Sequence, residues 1–309
     1  MLRVPSSIRP NQFQSLTIRR ADASEALFVA YRSDVYPERN EVFFEEHAVV
    51  VVLEGEKKFS APSQELHVTK GQILFFRRGC YSMNESIDAN YRSLVFFVNE
   101  KLLKEFVSQH LALFQRTWPL PPVLPGSPIL SLTASPTFTT FIQALLPYFG
   151  ATTPFLNELM RLKFQELLLQ LLELDTGATP PGQLRQILWQ IYQGQKTDLD
   201  YLMATYLLKS LSMSELSRLS GRSLSGFKRD FAAHFLAPPG HWIRQKRLEH
   251  AQFLLRNTAQ NVSEVSLVVG YESVSHFIKA YKQQFGTTPK ADGTPLTAPL
   301  KTTPPASPA

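Results

Sequence analysis

Seven side chains near the carboxy-terminal end of this 309-residue sequence have the types and spacing needed to contact nucleic acid. They form two sets, Ser225, Lys228 and Arg229 in the first, and Val274, Ser275, His276 and Lys279 in the second. Arginine and lysine donate to phosphate oxygens and to guanine, while small and apolar side chains fit against base edges. We expect Arg229 to read a base and Lys228 to be shared between base and phosphate. For His276 an alternative interpretation is packing against the helical scaffold.

The two sets lie on segments whose aromatic residues recur at helical spacing. Phe227, Phe231 and Phe235 are spaced four apart, and Phe277, Tyr281 and Phe285 repeat this series 50 residues later. Positions i, i+4 and i+8 share one face of a helix, so this face is expected in a core and the basic side chains on the opposite side. A helix with that division is typical of DNA recognition.

Each of these helices follows a shorter predicted helix and a glycine turn. Ser212 and Glu215 form a capping-box pattern, and Gly221 permits a sharp turn before Ser223, which caps the next helix. Gly270 holds the equivalent place in the second copy. The pattern predicts two helix-turn-helix units. A long amphipathic helix from about 241 to 256 is predicted between them.

The positive charge of the chain is concentrated in the same region. Residues 200–290 contain 12 lysines and arginines against 6 acidic residues, whereas the rest of the chain has 20 of each, so this region carries the whole net charge of +6. Such a surplus attracts phosphate backbones without reading sequence. On charge alone, an ordinary solvated surface is an equal alternative.

The first hundred residues are predicted to form strands. Short β-branched and aromatic runs, such as those at 48–53, 73–76 and 93–98, are separated by glycine-containing turns. This spacing favours a small antiparallel barrel or sandwich. Because helices follow, the fold class is α+β, with an amino-terminal barrel and helices and an all-α carboxy-terminal domain.

A clear helix is predicted from Thr153 to Asp175, with Pro154 at its first position. Its apolar residues cover a broad face. One interpretation is a packed core helix, and the other is a helix that also meets its own copy in a homodimer, as in two-helix zippers. We favour the dimer slightly, because DNA-binding regulators usually need paired half-sites.

These patterns divide the chain into four parts. Residues 1–175 are expected to form the regulatory and dimerisation domain, 176–199 a linker, 200–290 the DNA-binding domain and 291–309 a disordered tail. The linker expectation rests on the Gly- and Pro-containing stretch at 176–182, and the tail is rich in Pro, Thr and Ala.

The region from about 200 to 290 resembles the DNA-binding domain of the AraC/XylS family of transcription regulators. The string GYESVSHFIKAYKQQFGTTP at 270–289 is close to that family's signature. The resemblance implies seven helices and two recognition helices in adjacent major-groove segments, with the seven side chains above facing the bases. This sequence departs from the family after Pro289, where Lys290, Ala291 and Asp292 replace the usual aromatic–arginine pair, so a shortened or missing last helix is expected.

The front part is similar to members of the same family that control type III secretion genes. The similarity lies in VVVVLEGEKKF, LHVTKGQILFFRRGCYS and YRSLVFFVNEKLLKEF. It implies a cupin-like barrel with helices, used for self-association and for contact with a regulatory protein. In other branches of the family the barrel holds a sugar or another small ligand.

Residue patterns for an enzyme or a cofactor site are not found. There is no G-x-S-x-G, no G-x-x-x-x-G-K-[ST] and no His-x-His, and we interpret His47 and His67 as surface or turn residues. No catalytic residue, metal or cofactor is therefore expected. The longest apolar run has six residues and the first residues resemble no signal peptide, so a cytoplasmic protein without membrane contact is expected.

Together these features predict a sequence-specific regulator, an activator by family resemblance, that reads two adjacent major-groove segments. Its expected partners are double-stranded promoter DNA, RNA polymerase, a second copy of itself, and either a regulatory protein or a small ligand. Type III secretion or virulence genes are the expected targets. The alternatives are a sugar-responsive regulator, or a cupin binding module whose helical tail contacts proteins.

Overall fold

The computed structural model describes residues 2–6, 14–19, 25–33, 40–61, 64–85, 91–115, 128–151 and 153–293. The chain divides into two compact units, residues 1–196 and 197–309. None of the helices in the described part is both long and apolar enough to cross a bilayer. The proline-rich stretch at 118–127 and the expected disordered tail beyond 293 lie outside the described residues.

The first unit begins with strands and continues with helices. Its strands are β1 Leu2–Val4, β2 Gln14–Arg19, β3 Glu25–Ser33, β4 Asn40–Phe44, β5 His47–Glu54, β6 Glu56–Ala61, β7 Gln64–Thr69, β8 Gln72–Phe76, β9 Gly79–Glu85, β10 Tyr91–Val98 and β11 Ile129–Thr133. Its helices are α1 Glu100–Gln109, α2 Leu111–Gln115, α3 Pro136–Leu145, α4 Leu156–Thr176 and α5 Gln183–Tyr192. A 3-10 helix covers Leu146–Gly150.

The described strands form two sheets and no closed barrel. One has the order β1-β4-β9-β6-β7 and the other β11-β8-β5-β10-β3-β2, with all neighbours antiparallel except β1 and β4. Core residues of both sheets pack together, as in a sandwich. The expected α+β class is therefore confirmed, whereas the cupin-like barrel is not.

Strand β5 of the six-stranded sheet is buried on both faces. Along β5, Ala48 and Val50 pack against the five-stranded sheet, while Val49 and Val51 pack in the core that includes α1, α3, α4 and α5. Successive side chains of a strand point to opposite faces, so a strand covered on both sides must be apolar throughout. This explains the continuous run at 48–53.

The segment 176–199 departs from the expectation of a linker, because α5 lies within it and belongs to the first unit. Leu184 and Leu188 are buried in the core of that unit. The Asp175 carboxylate accepts hydrogen bonds from the amides of Leu184 and Arg185, at 3.0 and 3.1 Å, and so caps the start of α5. Burial raises the pKa of Asp175, and the two amide hydrogen bonds oppose that effect.

The described residues of the second unit, 197–293, form the seven helices implied by the resemblance. They are α6 Leu199–Tyr206, α7 Met213–Leu219, α8 Leu224–Phe235, α9 Pro239–Asn257, α10 Val262–Val268, α11 Val274–Phe285 and α12 Pro289–Asp292. The predicted capping box is present on α7, where the Glu215 amide donates to Ser212 Oγ at 3.2 Å and the Ser212 amide donates to Glu215 Oε2 at 2.6 Å. Asn261 and Glu264 make the same reciprocal pair on α10.

Candidate nucleic-acid interface

The first set of predicted contact residues lies on α8, which is held by its aromatic face. Ser223 Oγ accepts a 3.1 Å hydrogen bond from the Gly226 amide and caps the helix. Phe227 and Phe231 are buried, and the Phe231 ring lies 5.7 Å from the Trp242 ring of α9 between centroids. Because this face is fixed in the core, the opposite face of α8 is directed outward.

The second set lies on α11, which repeats this arrangement. Ser273 Oγ accepts a 3.4 Å hydrogen bond from the His276 amide, and Gly286 ends the helix with a φ of 73°. Phe277 and Tyr281 are buried in the core that α11 shares with α9 and α10. The αL conformation at Gly286 is the usual helix ending that glycine permits.

Six of the seven predicted residues are exposed and one is half-buried. The exposed ones are Ser225, Lys228, Arg229, Ser275, His276 and Lys279, and the half-buried one is Val274. The exposed position of His276 favours the groove-facing interpretation over packing in the scaffold. The structure thus brings each set together on one accessible helix, although what they contact stays a prediction.

Arg229 shares a carboxylate with a second arginine. Its Nη2 lies 3.0 Å from Asp230 Oδ1, while Arg222 Nε lies 3.1 Å from Asp230 Oδ2. Arg222 is nearly buried and also donates to the carbonyl oxygens of Thr197 and Ser220. Arg229 is largely exposed, and an exposed ion pair contributes little free energy. Arg229 can therefore exchange Asp230 for a phosphate or a base at small cost.

Sequence reasoning missed Ile278 as a surface residue of α11. It is 38% exposed and stands 50 positions after Lys228, at the equivalent place on the second recognition helix. The 50-residue offset could have identified it, because that offset relates all residues of α8 and α11. An exposed isoleucine at this place offers an apolar contact of the kind that recognises the thymine methyl group.

The two units differ by one residue in their turns. Gly221 and Gly270, both with positive φ, are 49 positions apart, whereas the caps Ser223 and Ser273 are 50 apart. The offset of 50 therefore holds for the recognition helices but not for the helices before them. The second turn contains one additional residue before its cap, in the Tyr271–Glu272 pair.

The structure contains α12, a helix of 4 residues at the place where a shortened or missing helix is expected, and Asp292 anchors it. The Asp292 carboxylate accepts hydrogen bonds from Tyr281 Oη at 2.7 Å, Gln252 Nε2 at 3.1 Å and Arg256 Nη2 at 3.1 Å. The hydrogen bond from Tyr281 is the main cause that holds the pKa of Asp292 below its usual value. Asp292 thereby joins α12 to α9 and α11.

The expectation that His47 is a surface or turn residue is wrong. It is buried at the start of β5 and stacked on Phe75, with ring centroids 5.9 Å apart, and burial lowers its pKa well below the ordinary value. His67 is exposed and lies 3.0 Å from Glu56. Within the described ranges, no three His, Cys, Asp or Glu side chains are grouped so as to hold a metal ion.

Two known families match the two parts of the chain. Residues 47–179 match the ExsA N-terminal regulatory domain, and residues 216–292 match a helix-turn-helix domain. The chain is 27% identical to the HTH-type transcriptional regulator ExsA of Pseudomonas aeruginosa over 245 residues, which cover 79% of this chain and 84% of that protein. It is 26% identical to the virulence regulon transcriptional activator VirF of Yersinia enterocolitica over 244 residues, which cover 77% and 86%.

A solved structure also aligns with part of the chain. It is the C-terminal domain of the two-component response regulator yesN from Fusobacterium nucleatum, at 28% identity and a TM-score of 0.29, covering 31% of this chain and 92% of that one.

The two family matches together cover about two thirds of the chain and agree with its division into a strand-rich and a helical unit. They define a DNA-binding transcription regulator with an amino-terminal regulatory domain. The chain combines an ExsA-type regulatory domain with an AraC-type helix-turn-helix domain, and it is homologous to ExsA and VirF.

Proposed function

We propose that this regulator reads two adjacent major-groove segments with α8 and α11. The observation that carries the proposal is that both helices bury an aromatic face and expose the predicted contact residues on the other. In this arrangement Arg229 and Lys228 supply direct contacts in the first segment. In the second, Ile278 and Val274 supply apolar contacts beside Lys279, so α11 depends less on hydrogen bonds to bases.

Selection of the full-length protein on random double-stranded DNA tests this proposal. A sequence-specific regulator should enrich one site with two adjacent blocks, bound about 10³-fold or more tightly than random DNA. Affinity for random DNA should fall steeply with salt, because its binding is dominated by phosphates. Weak binding that is the same for every sequence contradicts the proposal.

We infer that its targets are type III secretion or virulence genes and that it activates them. Support comes from the similarity to ExsA and to VirF, which covers 79% and 77% of this chain; the name of VirF describes a virulence regulon activator. Activation takes place at the promoter together with RNA polymerase, in the cytoplasm. A deletion of the gene in its own cell, followed by transcript sequencing, should lower such transcripts. Unchanged transcripts under inducing and non-inducing conditions contradict this inference.

We further propose a homodimer formed through α4. The inner face of this helix packs in the core of the first unit, through residues such as Met160 and Leu168. Its N-cap residue Phe155 and, on its outer side, Leu162 and Leu169 are 69%, 60% and 39% exposed and are spaced seven apart. A seven-residue apolar spacing is the pattern by which two helices pair.

The charges beside this stripe suit a parallel pair. In a parallel pair of helices, the residue just before a stripe position on one helix lies near the residue that is numbered five higher on the other helix. Arg161 of one copy then faces Glu166 of the other. These two side chains now pair within the chain, Arg161 with Glu158 in an exposed contact and Glu166 with Lys163 in a half-buried one. The exposed pair exchanges at little cost.

For the signal received by the first unit, we propose a regulatory protein over a sugar-like ligand. The space between the two sheets is filled with aromatic rings: Phe44, Phe76 and Tyr81 lie 5.0–5.2 Å from one another between centroids. Such packing supports a solid sandwich more than a ligand-binding interior. Co-purification of the tagged full-length protein from its own cell tests this, with mass spectrometry of both proteins and small molecules.

A further inference from the structure

The first turn of the DNA-binding unit is joined to the start of α6. The Thr197 amide donates a 3.0 Å hydrogen bond to the Ser220 carbonyl oxygen, and Arg222 Nη1 donates to the Thr197 carbonyl oxygen at 2.7 Å. In the first turn of α6, Asp200 Oδ2 lies 2.7 Å from His234 Nε2 at the end of α8. The first recognition helix and its turn are thus fixed to one end of α6.

The other end of α6 is joined to the second turn through an arginine of the linker helix. Arg247 of α9 donates from Nε to the Leu207 carbonyl oxygen at 2.7 Å and from Nη2 to that of Lys209 at 2.5 Å. Its Nη1 donates to the carbonyl oxygen of Gly270, in the second turn, at 3.0 Å. One guanidinium group therefore holds three carbonyl groups from two segments that are distant in sequence.

Two further contacts strengthen the same junction. Ser210 Oγ donates a 2.7 Å hydrogen bond to Glu272 Oε1, in the pair of residues that lengthens the second turn. The backbones approach closely as well: a Cβ atom added to Gly270 would lie only 2.6 Å from the Leu208 carbonyl oxygen. The pair of residues that lengthens the second turn therefore takes part in a contact with the segment after α6.

We propose that α6 connects the two turns rigidly, and that Arg247 and the Ser210–Glu272 pair fix its carboxy-terminal end to the second turn. This junction then determines which spacing of the two DNA segments the protein accepts. The proposal rests on the proposed reading of two adjacent segments by α8 and α11. It assigns Arg247, Ser210 and Glu272 a positioning role, since none of them belongs to the predicted base-contacting set.

The physical reason is that two helix-turn-helix units joined by α9 alone can rotate relative to each other, whereas a second connection through α6 resists that rotation. The linker helix α9, with 19 residues, spans about 28 Å, and α6, with 8 residues, about 12 Å. Attached at both turns, α6 opposes rotation of one recognition helix about α9. Insertion of one base pair moves the second segment by about 3.4 Å and turns it by about 35°, which a locked pair of helices cannot follow without deforming the DNA.

The experiment compares full-length wild-type protein with variants on its selected site and on sites with one base pair inserted or deleted between the two blocks. The variants are Arg247→Lys, which keeps the charge but replaces three separate donor nitrogens in a planar group by a single one, and the double variant Ser210→Ala with Glu272→Ala. Glu272→Gln is the matched control, because its amide oxygen still accepts from Ser210. Glu272→Gln removes one negative charge and so changes the repulsion from DNA phosphates. This change affects sites of every spacing alike, so it cancels when the affinities for two spacings are compared as a ratio.

For the wild type we expect affinity for altered spacings to fall by on the order of tenfold, the cost of deforming DNA back into register. The quantity compared is the ratio of the affinity for the selected site to the affinity for a site with altered spacing. Both disrupting variants should reduce this ratio severalfold while keeping the base preferences within each block. Glu272→Gln should keep the wild-type ratio. Arg247→Lys is expected to destabilise the fold more than the double variant, whose residues lie at the surface. If Arg247→Lys is unstable, the result for the double variant tests the proposal.

The two failures are distinguishable. Disrupting variants that bind every spacing more weakly but with the wild-type ratio would show only a stabilising role and overturn the inference. An unchanged ratio with unchanged affinity would also overturn it. A wild-type protein that selects no site with two blocks instead contradicts the proposed function on which the inference rests.

Discussion

The phenolic hydroxyl of Tyr281 donates a 2.7 Å hydrogen bond to the carboxylate of Asp292, which joins α11 to α12. Hydrogen bonds to a charged group contribute about 1.5–3 kcal/mol. We expect Tyr281→Phe to lower the unfolding free energy of the second unit by about that amount. Chemical denaturation of the variant, of Asp292→Asn and of both together measures the pair. Additive single effects would contradict a direct interaction.

The same pair predicts a dependence on pH. The Tyr281 hydrogen bond holds the pKa of Asp292 below its ordinary value, with help from Gln252 and Arg256. A carboxyl group whose pKa is lower in the folded state adds stability above its unfolded pKa of about 3.9, and that stability is lost as the pH falls through the lowered folded value. Asp292→Asn should lack this acid-side loss, measured as the change in denaturation midpoint below about pH 4. Parallel curves for both proteins would argue against it.

Arg229 is expected to be a base-reading residue. Arg229→Ala should cost about 1–3 kcal/mol at one base pair of the selected site and relax the preference there. Arg229→Lys separates base from phosphate contacts, because lysine keeps the charge but loses the bidentate geometry. The measurement is competition binding against all single-base variants of the site. A loss that is equal for every sequence reassigns Arg229 to the phosphate backbone.

Ile278 is expected to contact the methyl group of a thymine. Replacing that thymine by uracil removes only the methyl group and should cost ~1 kcal/mol, comparable to a buried CH₂. Ile278→Ala should lower affinity by a similar amount on the thymine site and by little on the uracil site. The neighbouring exposed Lys279→Ala is the control, since it should weaken both sites alike. If the effect of replacing thymine by uracil is independent of Ile278 at every position of the second block, the predicted contact of Ile278 with a thymine is wrong.

The recognition helices and the strand core could be predicted from the sequence because their signals are local. The four-residue aromatic spacing from Phe227 and the apolar run of β5 each report one periodicity, and the structure follows both. Composition misled at 176–199, where a Gly- and Pro-rich stretch precedes α5. There the buried Leu184 and the cap from Asp175 outweigh the local signal.

The contacts that position the two units could not be predicted, because they join residues distant in sequence. Arg247 has the appearance of an ordinary surface cation on an amphipathic helix, yet it donates to carbonyl oxygens 23 to 40 positions away. Carbonyl groups leave no mark in the residue types of Leu207 or Lys209. The additional residue of the second turn was visible in the sequence, but only its contact with Ser210 gives it a purpose.

The exposed stripe on α4 predicts the oligomeric state. Leu162→Asp places a charge at its centre and should convert a dimer to a monomer in sedimentation velocity, with little loss of folding because Leu162 is mainly exposed. Asn157→Asp is the matched control, since it adds the same charge to an exposed place on α4 away from the stripe. Equal dissociation by both variants, or by neither, would exclude this stripe as the dimer contact.

Two glycines with similar backbone angles should respond very differently to alanine. Gly286, with a φ of 73°, has nothing within 4 Å of an added Cβ, so Gly286→Ala should cost about 1 kcal/mol, the price of the left-handed conformation. Gly270, with a φ of 80°, would place its Cβ 2.6 Å from the Leu208 carbonyl oxygen and 3.1 Å from Arg247 Cζ. Arg247 holds the carbonyl groups on either side of Leu208 by hydrogen bonds. The backbone must therefore shift, and Gly270→Ala should cost about 3 kcal/mol or more. Thermal denaturation of both variants measures this, and equal midpoints would mean that the approach of the two backbones is looser than the geometry indicates.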